Sequence, residues 1–215
     1  MGVNLAVSSH VDQCGQCQQV IPRLSMAAGE AWVESTAGDE KASTAGLRDI
    51  FATIVAQPAP CASQQEELSA STTAGDEAVR LRDRPVRLPR LLDRIARDGL
   101  DWKPVANGIH QALIDVDSQT KCEYIYMDPG ASVPTHTHLG SEFMLVLDGT
   151  IEDGFGKYGI GDFVARHRQD CHGQVTESGC VCLFVTDAPL IFTEGRARLL
   201  NPLNRLRHWW SKLLG

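Results

Sequence analysis

The spacing of apolar residues divides the chain into two parts of different character. In the first part, apolar residues recur at helical spacing over residues 20–33, "VIPRLSMAAGEAWV", and again over residues 47–57, which predicts helices. After Trp102 the pattern changes to short β-rich runs, namely "EYIYM", "FMLVL", "DFVAR", "CVCLFVT" and "PLIF". Such short runs, separated by Gly, Asp and Pro, are typical of a small antiparallel sandwich or barrel.

The segments between these parts complete a two-part α+β organisation. Residues 58–83 are rich in Ala, Ser, Thr, Gln and Glu, which is a linker composition. "PRLLDRIARDG" then predicts one short helix that ends at Gly99. The predicted organisation is a helical domain over residues 1–62, a linker over 63–84, an all-β domain over 85–204 and a helical tail over 205–215.

Charge and cysteine content argue against several classes of protein. The formal net charge of −7 argues against direct binding to nucleic acid or to anionic membranes. No apolar run approaches the roughly 18 residues needed to cross a bilayer, and the first ten residues do not look like a secretion signal. The 7 cysteines form an odd set with metal-like spacing, which favours cytoplasmic thiol or metal chemistry over a disulfide framework.

The strongest chemical signal lies in "PGASVPTHTHLGSEFMLVLDG". Side chains two apart on a strand share a face, so His136 and His138 can reach one point. Glu142 follows after a short turn and begins the next apolar run. Two imidazoles and a carboxylate from adjacent strands suit Zn, Fe, Mn, Ni or Cu.

This spacing resembles the first motif of the cupin superfamily, whose fold is a double-stranded β-helix barrel. The resemblance implies one further histidine ligand after a "G-D" strand, and "YGIGDFVARHRQDCHG" places His172 at the matching distance. His167 stands in the same turn and is a rival to His172. The expected barrel site therefore holds Zn²⁺ or another divalent metal (Fe, Mn or Ni) on His136, His138, Glu142 and His172.

A second ligand pattern stands near the start of the chain, in "HVDQCGQC". On one helix, His10, Cys14 and Cys17 would lie on a single stripe and could converge on one ion. A redox dithiol or a chance C-x-x-C are the alternatives. The spacing resembles the zinc-binding anti-sigma domain, and its combination with a cupin resembles the ChrR-type anti-sigma factors. That resemblance implies Zn²⁺ on these three residues.

A structural zinc takes four ligands, and the N-terminal pattern supplies three. In the family the fourth is a histidine on a preceding helix, so we expect that the first helix of the bundle is absent from this chain. Cys61 as a substitute, or water at an open position, are the alternatives.

The ChrR-type resemblance implies a regulator rather than an enzyme. Its helical half would bind and inhibit an extracytoplasmic-function (ECF) sigma factor, and its cupin would sense oxidative stress as singlet oxygen or peroxide. Cys171, Cys180 and Cys182 are candidate reactive thiols, although Cys180 and Cys182 also fit as small core residues. The alternative is a cupin metalloenzyme such as an Fe(II) dioxygenase.

Overall fold

The computed structural model describes residues 1–36 and 77–202, with the side chains of residues 33–36 left out. The predicted helix over residues 47–57, the predicted helical tail over 205–215 and Cys61 all lie outside the described residues. Within the described ranges, no helix is long and apolar enough to span a membrane.

The chain forms two compact units. One unit contains Met1–Cys14 together with Gly75–Gly215, and the other contains Gly15–Ala74. The first fourteen residues therefore belong with the β-rich part, although the predicted helical domain covers residues 1–62. A strand also begins at Val79, inside the segment that the sequence analysis assigns to the linker.

The N-terminal region contains two helices, α1 (Gly2–Gln13) and α2 (Gly15–Thr36). They are separated at Cys14, whose backbone is extended with φ −101° and ψ 101°. The expectation of one continuous helix through the H-x-x-x-C-x-x-C pattern is therefore wrong. The break immediately precedes Gly15, and glycine is a poor helix former because it loses the most backbone entropy.

The described β-rich part contains twelve strands and two short helices. In chain order they are β1 (Val79–Leu81), β2 (Arg84–Val86), α3 (Arg90–Arg97), β3 (Lys103–Ala106), β4 (Ile109–Ile114), β5 (Lys121–Met127), β6 (Ser132–His138), β7 (Glu142–Asp153), β8 (Gly156–Gly159), β9 (Phe163–Arg166), β10 (His172–Val175), β11 (Cys180–Thr186), β12 (Leu190–Phe192) and a 3₁₀ helix (Arg196–Leu200).

Ten of these strands form one antiparallel sheet, which curls into a cupin-like barrel. Its order is β12–β6–β10–β7–β11–β5–β4–β3, with β8 and β9 also paired to β7. The remaining strands, β1 and β2, form a separate hairpin. The fold class is therefore α+β, with N-terminal helices followed by a cupin-like β domain, as the sequence predicts. All five quoted β-rich runs lie in or overlap strands.

Strand β11 separates two apolar clusters because its alternate residues point to opposite faces. Val181, Leu183 and Val185 join the larger cluster, while Cys180, Cys182 and Phe184 join the smaller one. β7 divides in the same way, with Leu145 and Leu147 on one side and Met144 and Val146 on the other. Glu142 has the same parity as Met144 and Val146, so its side chain points to the smaller cluster.

Helix α3 confirms the prediction made from "PRLLDRIARDG". Leu92 and Ala96, four residues apart, are both buried and pack in the larger cluster. The Tyr124 hydroxyl donates a hydrogen bond of 3.0 Å to the Leu92 carbonyl. The helix ends at Arg97, two residues before Gly99, which has a positive φ of 102°.

Candidate metal centre

Strand β6 carries two histidines on its inner face. Burial alternates along the second half of this strand, so that His136 and His138 are both buried and Thr137 between them is partly exposed. This alternation is the two-residue period of a strand. The neighbouring strand β12 pairs with the same segment, placing Leu190 opposite His138 and Phe192 opposite His136.

Two further side chains come from strands adjacent to this pair in the sheet. His172 begins β10 and lies directly opposite His136 in the β10–β6 register. Glu142 begins β7, which pairs with the other edge of β10. The sheet therefore brings three imidazoles and one carboxylate together, and we name His136, His138, Glu142 and His172 the barrel ligand group.

The ligand atoms of this group all lie within 4.8 Å of one another. The Nε2 atoms of His138 and His172 are 3.1 Å apart. Glu142 places Oε2 3.7 Å from the Nε2 of His138 and Oε1 3.8 Å from the Nε2 of His172. All four side chains are buried, with relative exposures between 1% and 5%.

The tautomer of His136 is determined by its backbone contact. Its Nδ1 lies 2.9 Å from the Pro134 carbonyl oxygen, which can only accept, so Nδ1–H is the donor. The lone pair of Nε2 is then available as a ligand, which is the usual arrangement of a metal-binding histidine.

Burial shifts the pKa values of the group toward neutral side chains. Desolvation lowers the pKa of His138 to about 3, with the neighbouring imidazoles adding to the shift. Desolvation also lowers the pKa of His136 to about 4, although the bond to Pro134 opposes it. Burial raises the pKa of Glu142 to about 8, and the charge of Glu123 adds to this. The imidazoles are therefore neutral at pH 7 and ready to act as ligands.

These contacts fit a bound cation. The carboxylate oxygens are too far from the imidazole nitrogens for hydrogen bonds at 3.7 and 3.8 Å. Two nitrogens bound to one ion at about 2.0–2.1 Å would themselves lie about 3.0–3.4 Å apart, as Nε2 of His138 and His172 do. A divalent ion would also offset the cost of burying an ionised carboxylate. The barrel ligand group could therefore hold a metal ion.

The geometry distinguishes His172 from its rival. His167 is exposed, and its Nδ1 lies 3.4 Å from the Ser141 hydroxyl. It is not part of the barrel ligand group. The turn between the two histidines is fixed instead by Asp170, whose carboxylate accepts a 2.8 Å hydrogen bond from the His167 backbone N–H.

Asp153 lies beside the barrel ligand group and was not among the predicted site residues. Its carboxylate does cap the hairpin, accepting from the backbone N–H groups of Phe155 and Gly156 at 2.8 and 3.0 Å. The same carboxylate also lies 3.3 Å from Nδ1 of His172 and receives Arg166 Nη2 at 2.8 Å. The arginine at the end of "DFVAR" is the residue in the sequence that could pair with this carboxylate. Only the pairing of β9 with β7 brings it to Asp153.

Electrostatics keep Asp153 ionised beside the imidazole. Burial acts to raise its pKa, but the hydrogen bonds from Arg166 and from the hairpin backbone lower it overall. At 3.3 Å the ionised Asp153 carboxylate attracts the His172 ring electrostatically and favours its protonated form, which makes the imidazole more basic.

The candidate thiols lie in different environments. Cys180 and Cys182 are fully buried in the smaller cluster of β11, as the core interpretation predicts. Their hydrogen bond lowers the pKa of Cys180 and, together with burial, raises that of Cys182. Cys171 is exposed, and its Sγ lies 3.5 Å from the Thr193 hydroxyl.

The predicted N-terminal ligands His10 and Cys14 stand at the end of α1. His10 lies in the last turn of α1, and Cys14 follows the end of that helix. Their ligand atoms lie within 4.8 Å of each other. The His10 Nδ1 lies 2.7 Å from the Gly161 carbonyl oxygen and therefore donates to it. Cys17 follows in the first turn of α2 and is partly exposed.

The sequence of the β-rich part is similar to that of a known protein family. Residues 93–190 match the family described as the ChrR cupin-like domain. The chain is 27% identical over 205 residues to the anti-sigma-E factor ChrR of Cereibacter sphaeroides, covering 94% of this chain and 89% of that protein.

One solved structure shares the fold over most of the chain. The crystal structure of Rhodobacter sphaeroides SigE in complex with the anti-sigma ChrR contains a chain that matches with a TM-score of 0.57 and 23% identity, covering 86% of this chain and 88% of that one. An RmlC-like cupin protein from Ralstonia eutropha JMP134 matches with a TM-score of 0.41 and 14% identity, covering 45% of this chain and 69% of that one.

Proposed function

We propose that this chain, which carries a ChrR cupin-like domain over residues 93–190, is an anti-sigma factor that binds and inhibits an ECF sigma factor. The observation that carries the proposal is the similarity to an anti-sigma factor along almost the whole of both chains. That similarity covers the N-terminal helices as well as the barrel, and it agrees with the prediction of a regulator rather than an enzyme. A cytoplasmic location belongs to the same proposal.

Helix α2 exposes large apolar side chains on more than one face. Leu24, Met26 and Trp32 are large apolar residues with relative exposures of 58%, 67% and 68%. Apolar side chains exposed along a helix lose contact with water when the helix packs against a partner, and this burial drives association. We assign α2 to the contact with the sigma factor.

Copurification with the ECF sigma factor of the same genome tests this assignment. The full chain should form a complex that survives size-exclusion chromatography, and the double variant Leu24→Glu/Trp32→Glu should lose it. Ile160→Glu is the matched control, because Ile160 is equally exposed at 64% but lies on the barrel. Absence of a complex with the unaltered chain, or equal binding by the α2 variant, would refute the proposal.

We further propose metal at both ligand sets, with Zn²⁺ at His10, Cys14 and Cys17. Thiolates and imidazoles together favour zinc. The barrel ligand group would hold Zn²⁺ or another divalent metal (Fe, Mn or Ni), because three imidazoles and a carboxylate accept any of these. Elemental analysis should find two metal ions per unaltered chain. Each double variant, Cys14→Ser/Cys17→Ser or His136→Ala/His172→Ala, should retain only one. Unchanged metal content in either double variant would remove that site from the proposal.

The barrel would then act as the sensor of oxidative stress, through singlet oxygen or peroxide. Oxidation of an imidazole ligand, or of the exposed Cys171 beside His172, would alter the metal ligation. Oxidant titration of the complex with the sigma factor should release it from the unaltered chain. His136→Ala and His172→Ala should each blunt this response, and a normal response in both would exclude the barrel metal as the sensor.

A further inference from the structure

Helix α1 is packed against the barrel along its length. Ala6 and Ser9 are fully buried, and the partly buried Val3 and Leu5 pack against the larger core cluster. Near its first turn, the backbone N–H of Gly2 donates to the Asp117 carboxylate at 2.7 Å. The helix that carries His10 is therefore held by the same unit that contains the barrel ligand group.

The contact that holds His10 comes from the segment leading into β9. Gly161 has a positive φ of 88° and presents its carbonyl to the His10 Nδ1 at 2.7 Å. The ring of Phe163, the first residue of β9, lies 5.8 Å from the His10 ring. A carbonyl acceptor on Nδ1 and an aromatic ring beside the imidazole fix both its tautomer and its orientation, as outer contacts do for metal-binding histidines.

The other end of β9 contacts the barrel ligand group. Its last residue, Arg166, stands opposite Glu142 in the β7–β9 register. The Arg166 guanidinium binds Asp153 through Nη2 at 2.8 Å and Nε at 3.2 Å. Asp153 in turn lies 3.3 Å from Nδ1 of His172. One strand of four residues, about 10 Å long, therefore contacts the surroundings of both ligand sets.

We propose that β9 couples the two metal sites, with Gly161 and Phe163 as positioning residues for His10 and the Arg166–Asp153 pair as positioning residues for His172. The inference rests on the metal binding proposed above. A change in ligation at His172 alters the Asp153–Arg166 pair, displaces β9 slightly relative to β7 and changes how firmly His10 is oriented. Filling the barrel site therefore strengthens metal binding at the N-terminal site, and the effect is reciprocal.

Cobalt titration of the full chain, without any sigma factor, measures this coupling directly. Cys14 and Cys17 give Co²⁺ a thiolate charge-transfer band, whereas the barrel ligand group contains no thiol. The intensity of that band therefore reports the N-terminal site alone. Since no sigma factor is present, the result is independent of whether the proposed regulatory partner is correct.

Asp153→Asn is the first variant, because it keeps the shape of the side chain but removes its charge. It should weaken cobalt binding at the N-terminal site by about 5- to 100-fold, the range of outer-contact and coupling effects. Asp148→Asn is the matched control. Asp148 forms a comparable ion pair with Arg84 at 2.7 Å but does not contact β9 in its register, so this variant should stay within about twofold of the unaltered chain.

Two further variants ensure that the test does not depend on a single substitution. His136→Ala, which empties the barrel site, should weaken the N-terminal site in the same direction as Asp153→Asn. Phe163→Leu should weaken cobalt binding at the N-terminal site, because it removes the ring beside the His10 imidazole. The proposal is overturned if the unaltered chain gives no thiolate band, if all three variants leave the N-terminal affinity within twofold, or if Asp148→Asn has the same effect as Asp153→Asn.

Discussion

At the scale of single residues, the barrel ligand group brings together side chains whose pKa values burial moves in opposite directions. The carboxyl of Glu142 becomes a weaker acid and the imidazoles of His136 and His138 become weaker bases. Without metal at pH 7, the group is therefore mostly a protonated carboxyl among neutral imidazoles. Metal binding requires only the carboxyl to lose its proton.

Metal loading of the barrel site should release about one proton per ion at pH 7, because the pKa of Glu142 is about 8 while those of His136 and His138 are about 4 and 3. The experiment is calorimetric titration in buffers of different ionisation enthalpy, in a chain carrying Cys14→Ser and Cys17→Ser. Glu142→Gln should abolish the release, and His167→Ala should leave it unchanged. Release of two or more protons would show that the imidazoles are protonated at pH 7.

Acidification should destabilise the metal-free chain. The pKa values of His136 and His138 fall from 6.5 in the unfolded chain to about 4 and about 3 in the folded one. Between these values the unfolded state binds more protons, so stability falls as the pH drops below 6.5. Glu142 acts in the opposite direction between pH 4.5 and 8, but it is a single group, whereas the pKa values of all three imidazoles are lowered.

Urea unfolding in the presence of a chelator measures this effect. The midpoint should fall between about pH 6.5 and pH 5, and His138→Gln should make the fall smaller by removing one of the titrating imidazoles. A midpoint that rises on acidification would contradict the assigned direction of the pKa shifts.

At the scale of elements, the close approach of β7 and β11 depends on one glycine. Gly149 has a positive φ of 73° and lies opposite Cys180 in the β7–β11 register. A side chain at this position would meet the backbone carbonyl of Gly179. Both the backbone conformation and the lack of space therefore require glycine at this point.

Gly149→Ala should lower the free energy of unfolding by about 2–5 kcal/mol, through backbone strain and crowding together. Gly154→Ala is the control, because nothing lies within 4 Å of the position its Cβ would take; it should change stability by less than about 1 kcal/mol. Thermal or urea unfolding of the two variants makes the comparison. Similar losses in both would mean that the β7–β11 contact can adjust.

At the scale of the whole molecule, the two units have different chemistry. The described residues of the second unit are those of α2, which expose large apolar side chains. The first unit has a packed core, a buried ligand group and α1 attached to it. A bound ion can therefore stabilise the folded first unit. A partner protein can cover the exposed apolar side chains of α2.

Chelation should therefore lower the melting temperature of the first unit. An ion at about 100 times its Kd contributes about 2.7 kcal/mol, which corresponds to a shift on the order of 5–10 °C for a unit of this size. Calorimetry with and without chelator, in the Cys14→Ser/Cys17→Ser background, measures the barrel contribution. His136→Ala should show a lower melting temperature that no longer responds to chelator. An equal response in that variant would place the stabilising ion elsewhere.

The sequence by itself determined the local features. The period of two in "THTH" defined which side chains of β6 share a face, and the apolar runs gave the positions of most strands. The i and i+4 spacing of Leu92 and Ala96 gave helix α3. These features follow from covalent geometry and near neighbours, because strand and helix periods are the same in every fold.

Only the tertiary structure decided how distant segments meet. It chose His172 over His167, placed the Asp153 carboxylate behind His172 and attached α1 to the barrel through His10 and Gly161. It also ended α1 at Gln13, where the spacing alone favoured one continuous helix. Register between strands and docking of a helix depend on contacts between residues far apart in the chain, and no local period specifies those contacts.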